Sequence, residues 1–354
     1  MNNNPENFSN KKNIKNKIIW SVLFLVIAAA TIWTVVSQSK MFSLGAFLDF
    51  IKNSSWGWLA GAFLCMLGFI FFEGAAITSL TKGIGYKCRQ KHGFVYSAAD
   101  IYFSAITPSA SGGQPASVYF MVKDGIPLMS STLVLLTNLI LYTVSIILIG
   151  LLAVIFDFDI FFKFDTVSKI LIIVGYIFQI ILLIFFILLL ARPKILHTVG
   201  NKLIGLLGKM KLLRHKDKKL KKLDDMMEEY SMCYKVIREN PKVITKAMIY
   251  NFLQRICVIS VSALTFLAIG GNLHDMMSVW VVQCFVVIGS NAIPIPGAMG
   301  ASDYIMLDGF SKIVTYRQAV NFELLSRSIS FYSCVILCGV VVLLRYIFQK
   351  RRKV

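Results

Sequence analysis

The sequence predicts an all-α integral membrane protein: six full spans plus two oppositely oriented re-entrant helical hairpins, arranged as an inverted repeat. Three observations predict it. Apolar residues come in long runs, lysine and arginine sort between alternate loops, and two Gly/Pro-broken segments resemble each other. Of the 354 residues 56% are hydrophobic, and the mean hydropathy is +0.69. A soluble domain does not carry that much apolar surface.

A helix needs about 20 apolar residues to cross the hydrocarbon core. A span must also satisfy its own backbone hydrogen bonds, so these runs read as helices. The predicted spans are 18–36, 56–81, 128–156, 169–191, 246–270 and 324–347. The first follows a basic segment, but it is long, lacks a small-residue cleavage site and leads straight to more spans. It reads as a transmembrane helix, not as a removed signal.

The net charge of +19 tracks topology. An excess of Lys/Arg marks the cytoplasmic side. With the N-terminus inside, Lys11, Lys12, Lys15 and Lys17 are cytoplasmic, as are Lys82, Lys87, Arg89 and Lys91. So are fifteen Lys/Arg in 192–246 and the tail Lys350, Arg351, Arg352 and Lys353. The segments assigned outside hold few: Lys40, Lys52, Lys163, Lys169, Lys312 and Arg317. If 276–293 crossed completely, the basic tail would emerge outside. The conflict disappears if 276–293 enters and 297–314 returns, joined by Asn291-Ala-Ile-Pro294-Ile-Pro296-Gly297. The chain thus divides into a basic N-terminus (1–17), a first membrane half (18–191) with hairpin 94–123, and a basic amphipathic segment (192–246). A second half (247–348) with hairpin 276–314 and a basic tail (349–354) follow. Both termini are expected in the cytoplasm and the chain in a bacterial cytoplasmic membrane.

The two hairpins align. SGGQPASVYFMVKDGIPL lies beside PGAMGASDYIMLDGFSKI, sharing a Gly-rich turn, Ala116-Ser117 with Ala301-Ser302, Tyr119 with Tyr304, and Asp124-Gly125 with Asp308-Gly309. Span–hairpin–span in two opposite orientations is the architecture of alternating-access transporters, with a site near the midplane.

Helix N-termini follow both Gly-rich turns, near Pro115 and Gly300. Free amides and the helix dipole there favour a phosphate or carboxylate. Ser109, Ser111, Gln114, Ser117 and Ser302 are candidate hydrogen-bonding partners, and Gly112, Gly113, Gly297 and Gly300 permit close approach. The same small residues would also serve tight helix packing. Charges in the apolar zone need a reason. Glu73, Asp100, Arg255, Asp303 and Arg327 qualify. Arg255 is the deepest cation and the best candidate to meet a phosphate, with Glu73 and Asp303 as its expected partners. A structural ion pair is the competing reading. Glu73 and Asp100 are the coupling candidates, since no GxxxxGK[ST] nucleotide loop occurs. Arg327 lies near a span end, where it would also reach the interface by snorkelling.

The seven cysteines show no metal or redox spacing, and the four histidines are scattered. No disulfide, metal or cofactor is expected. Segment 192–246 reads as an amphipathic helix lying on an anionic leaflet or packed under the bundle. It lacks an aromatic stacking platform, so nucleic acid is not an expected partner.

TPSASGGQPASVYFMVKDGIPL and IPIPGAMGASDYIML…ELLSRSISFY resemble the two signature stretches of the lysylphosphatidylglycerol synthase transmembrane-region family, over roughly 15–348. The resemblance implies a flippase-like domain that carries lipid between leaflets. In multi-domain members that domain is fused to one transferring lysine from lysyl-tRNA to phosphatidylglycerol, and the product confers resistance to cationic peptides. By position Gly112, Gly113 and Pro115 match the first motif, and Pro296, Gly297, Gly300, Ser302 and Arg327 the second. Two departures stand out. The chain ends at Val354, which leaves no room for the transferase domain, so enzymatic activity by itself is not expected. Where members carry an acidic–basic pair after the first hairpin, Leu136-Thr137-Asn138-Leu139 is neutral. The expected function is translocation of an anionic or aminoacylated phospholipid or glycolipid. The alternatives are a phosphatidylglycerol lysyltransferase and a non-transporting membrane partner of a separate lipid synthase.

Overall fold

The computed structural model describes residues 52, 54–107, 110–191, 198, 216–291, 293, 298 and 300–351. The expected first span at 18–36, most of 192–215, Ser109, Pro296 and Gly297 lie outside the described residues. The described residues form helices and turns without a strand. In chain order they are α1 (Trp56–Gly83), α2 (Gln90–Ile106), α3 (Gly113–Lys123), α4 (Leu128–Phe156), a short α5 (Asp159–Lys163) and α6 (Thr166–Ala191). Then come α7 (Lys216–Arg238), α8 (Pro241–Ala268), α9 (Leu273–Ser290), α10 (Ala301–Phe310) and α11 (Tyr316–Arg327). A π-helical turn, Ser328–Ser333, joins α11 to α12 (Cys334–Arg351).

Six of these stretches are long and apolar enough to cross a membrane. Five fall on predicted spans: α1, α4, α6, α8 and the continuous helix Tyr316–Phe348. The sixth is α9, the first arm of the predicted hairpin 276–314. The last span starts eight residues earlier than expected because Thr315 and Gln318 cap it: the Thr315 amide donates to Gln318 Oε1 at 3.2 Å. Pro241 sits in the first turn of α8, where its missing N–H costs nothing.

Burial follows helical periodicity. In α6 the buried residues are Ser168, Ile172, Gly175 and Gln179, a single stripe. The other faces carry exposed Ile170, Ile173, Ile177, Ile181 and Ile184, as expected of a surface meeting lipid. α1 and α8 pack antiparallel at very short range. A Cβ added to Gly68 would stand 3.0 Å from Cys257 Sγ, and one on Gly83 2.6 Å from Val243 Cγ1. Small residues permit this approach where lipid offers no hydrophobic drive. α7 packs beneath the bundle: Tyr230 is fully buried, and Ser130 at the start of α4 hydrogen-bonds Glu229.

Two helical hairpins are built into this bundle. In the first, α3 folds back along α2: Ser117 Oγ donates to the Tyr96 carbonyl at 2.5 Å and Gln114 Nε2 to Asp100 Oδ2 at 2.9 Å. Asp124 at its base accepts from Tyr96 Oη at 2.8 Å and pairs with Arg345 of α12. In the second, α10 returns along α9. A Cβ on Gly309 would meet Val282, and one on Gly289 would meet Ile305. The first hairpin's base precedes Leu128, the N-terminal end of α4. The second hairpin's base lies at the other end of α4, where Ser278 Oγ donates to Asp157 Oδ2 at 3.4 Å and the Asp165 amide to Asp308 Oδ2 at 2.8 Å. Phe310 stacks on Phe322 at 4.3 Å between ring centres, holding α10 against α11.

The tightest crossing joins α1 to α2. A Cβ on Gly93 would fall 2.0 Å from Thr78 Oγ1 and 2.3 Å from the Gly74 carbonyl oxygen. Overpacking a core costs about 1–3 kcal/mol or more. Gly93→Val is therefore expected to lower the melting temperature of the purified protein in detergent. Gly57→Ala, where an added Cβ meets nothing within 4 Å, is expected to leave it unchanged.

Candidate functional site

The polar residues of the bundle gather at the middle of α8. Arg255 is the fifteenth of its 28 residues and is 6% exposed. Its guanidinium lies 4.3 Å from the Tyr142 ring centre and 5.3 Å from that of Phe69, and Nη1 donates to Tyr142 Oη at 3.4 Å. Its Nε has no partner. Among the described residues no carboxylate stands within 4 Å of it.

Beside it lies a carboxyl pair. Glu73 of α1 and Asp100 of α2 are both buried, and Asp100 acts electrostatically on Glu73. Gln254 Nε2 donates to Glu73 Oε2 at 3.0 Å, while Gln114 Nε2 and Ser104 Oγ serve Asp100 at 2.9 and 3.3 Å. Arg255 is the cation that acts on Glu73. Two further amides extend the cluster: Asn251 Nδ2 donates to Asn138 Oδ1 at 2.9 Å. The oxygens Gln254 Oε1 and Asn251 Oδ1 are buried without a donor.

A second charged group sits at the returning arm of the other hairpin. Arg327 pairs with Asp303 at 2.5 Å and donates to Ser302 Oγ. Glu323, one helical turn before Arg327, lies within electrostatic reach of Asp303 and Arg327. The Gly300 amide donates to Asp303 Oδ2 at 2.8 Å, so this carboxylate caps α10. Gly300 has φ +84°, a conformation glycine takes without strain.

Comparison with known proteins places the whole arrangement. The family profile described as the lysylphosphatidylglycerol synthase transmembrane region matches residues 18–338. The chain belongs to this family. It is a multi-pass membrane protein. Among curated proteins it is similar to a UPF0104 membrane protein of Archaeoglobus fulgidus, 29% identical over 91 residues, which is 26% of this chain. The chain spans about a quarter of that relative's length in the match, 28%. No solved structure matches the chain.

The family's motif residues take distinct places in this fold. Gly113 is buried against α2, where a Cβ would fall 2.0 Å from Asp100 Oδ1. The Gly112 amide donates to Thr107 Oγ1 at 2.9 Å. Ser111 is exposed at the turn, and Ser117 is spent on the Tyr96 carbonyl. Gln114 does join the cluster, through Asp100. Of the helix N-termini expected to face an anion, that of α10 is capped by Asp303, while at α3 Asp100 lies close to Gly113 and bonds the Gln114 side chain. The expectation that Glu73 or Asp303 pairs with Arg255 is corrected. Glu73 accepts from Gln254, and Asp303 pairs with Arg327. Arg255 is left as the open cation. Gln254, Tyr142, Asn251 and Glu323 were missed by sequence reasoning. Two of them carried a signal, as Gln254 adjoins Arg255 and Glu323 stands four residues before Arg327.

The two arginines are expected to respond unequally to substitution. Removing one partner of an ion pair strands the other charge, at a cost that falls as that charge is exposed. Arg327→Met leaves Asp303, whose side chain is 37% exposed, without its cation and is expected to lower thermal stability. Arg255→Met breaks no ion pair within 4 Å and removes a longer-range attraction to Glu73 together with two ring contacts, so its loss of stability is expected to be smaller than that of Arg327→Met. Thermal unfolding of both purified variants checks the contrast.

Proposed function

We propose that this protein is a flippase-like translocator that moves an anionic or aminoacylated phospholipid or glycolipid between leaflets. Lysylphosphatidylglycerol is one such lipid, through which it would contribute to resistance against cationic peptides. The observation that carries this is Arg255. A guanidinium at mid-depth of an apolar bundle, short of an anionic partner and with a donor unsatisfied, calls for an anion from outside the chain. A buried unsatisfied donor is costly, more so when charged. A lipid phosphate supplies both the charge and the acceptor oxygens, and its tails stay in the bilayer.

The hairpins provide the route. In this reading they are re-entrant, enter from opposite faces as an inverted repeat, and meet the site between them. Short helices with irregular turns at membrane depth are tolerated where protein or water covers them. Lys82, Lys87, Arg89 and Lys91 cluster with the base of the first hairpin. By the positive-inside rule that end is cytoplasmic, as is the end of α12 bearing Arg345. The N- and C-termini are then cytoplasmic and the membrane is the bacterial cytoplasmic membrane. The basic α7 under the same end is the surface on which a separate lipid synthase would dock.

Losing one charge-assisted hydrogen bond costs about 1.5–3 kcal/mol. Arg255→Ala is therefore expected to slow flipping of fluorescent phosphatidylglycerol in proteoliposomes by roughly ten- to a hundredfold. Dithionite quenching of the inner-leaflet label reads this out. Unchanged quenching would remove Arg255 from the mechanism, and no protein-dependent quenching at all would remove translocation.

A further inference from the structure

We propose that the Glu73–Asp100 pair is a proton-binding site, and that one proton is carried with each lipid phosphate. This rests on the lipid-translocation reading and names its coupling ion.

The geometry starts from a buried cluster: Gln254 bonds Glu73, Gln114 and Ser104 bond Asp100, and Arg255 is the cation beside them. Two buried carboxyls facing one cation keep one proton between them, because like charges in one apolar site do not both ionise. The groups around the pair are neutral donors: Ser104 from α2, Gln114 from α3 and Gln254 from α8. The titratable or charged groups facing it from the other packed elements are Arg255 of α8 and Cys338 of α12, with Tyr142 of α4 against Arg255. The resting site thus sums to zero. The arginine contributes one positive charge and the pair, with one shared proton, one negative charge.

A second observation shows that the site is built to receive something. Arg255 Nε and Gln254 Oε1 are both buried and both without a partner. The first is a donor suited to phosphate oxygen. The second is an acceptor suited to a water or a hydrated proton, on the same amide that bonds Glu73.

Charge balance then sets the stoichiometry. A phosphodiester brings one negative charge to Arg255. An unbalanced charge at the centre of a bilayer is costly. One further proton on the pair makes both carboxyls neutral and returns the loaded site to zero. When the lipid leaves, the proton leaves with it. Coupling is reciprocal, so lipid binding raises proton affinity and proton binding raises lipid affinity by the same factor. Lipid and proton therefore move in the same direction.

The test uses the full-length purified protein and short-chain phosphatidylglycerol in weakly buffered detergent solution, with a pH indicator. About one proton taken up per lipid bound is expected near neutral pH. Glu73→Gln, and separately Asp100→Asn, are expected to bind lipid without proton uptake. In proteoliposomes an imposed pH gradient is expected to bias the leaflet distribution of fluorescent phosphatidylglycerol for wild type and not for either variant. Lipid binding without proton uptake, together with flipping indifferent to the gradient, would overturn this proposal and leave translocation standing. Absence of both binding and flipping would overturn translocation and this proposal with it.

Discussion

The organising constraint is an unpaired guanidinium at the centre of an apolar bundle. Arg255 sits buried at the middle of α8, held between Phe69 and Tyr142 in place of an ion pair. Aromatic faces compensate a cation only in part. The remaining cost is met by arrangement of the neighbours: a carboxyl pair within electrostatic reach and a set of neutral amides. Those neighbours come from five helices. The cluster therefore exists only if α1, α2, α3, α4 and α8 hold their mutual register.

That register is set by absent side chains. α1 approaches α8 at Gly68 and Gly83, and α2 crosses α1 where Gly93 meets Gly74. α3 reaches Asp100 because Gly113 has no Cβ. The glycines of the first hairpin thus act by bringing a carboxyl and a helix N-terminus together. The positive end of α3 faces Asp100 and the positive end of α10 faces Asp303. The α10 terminus is capped by its own Asp303, and Arg255 keeps a buried donor without a partner. The two charged centres differ accordingly. Arg327, Asp303 and Glu323 close on one another and lock α10 to α11, whereas Arg255 stays open.

Much of this was legible in the sequence. Long apolar runs fell on α1, α4, α6 and α8 within a few residues, because hydrocarbon thickness imposes span length directly. The Gly/Pro-rich stretches fell between α2 and α3 and between α9 and α10, and the charges at 73, 100, 255, 303 and 327 stood out because each is costly in lipid. Pairing among those charges was not legible. Arg255 was expected to meet Glu73 or Asp303, yet the partner of a buried charge depends on interhelical register, and glycine contacts encode that without any charge pattern. Gln254 and Asn251 were passed over because a single amide in an apolar helix carries little signal alone. The start of the last span was placed late because Thr315 and Gln318 form a cap that hydropathy does not register.

The most direct test of the central claim is the distance from the Arg255 guanidinium to lipid phosphorus. Nitrogen–phosphorus dipolar recoupling by solid-state NMR measures it on arginine-labelled protein reconstituted in phosphatidylglycerol bilayers. Contact between a guanidinium and a lipid phosphate that is present in wild type and absent in Arg255→Met is the predicted result. Identical recoupling in the two proteins, arising from surface arginines alone, would contradict it.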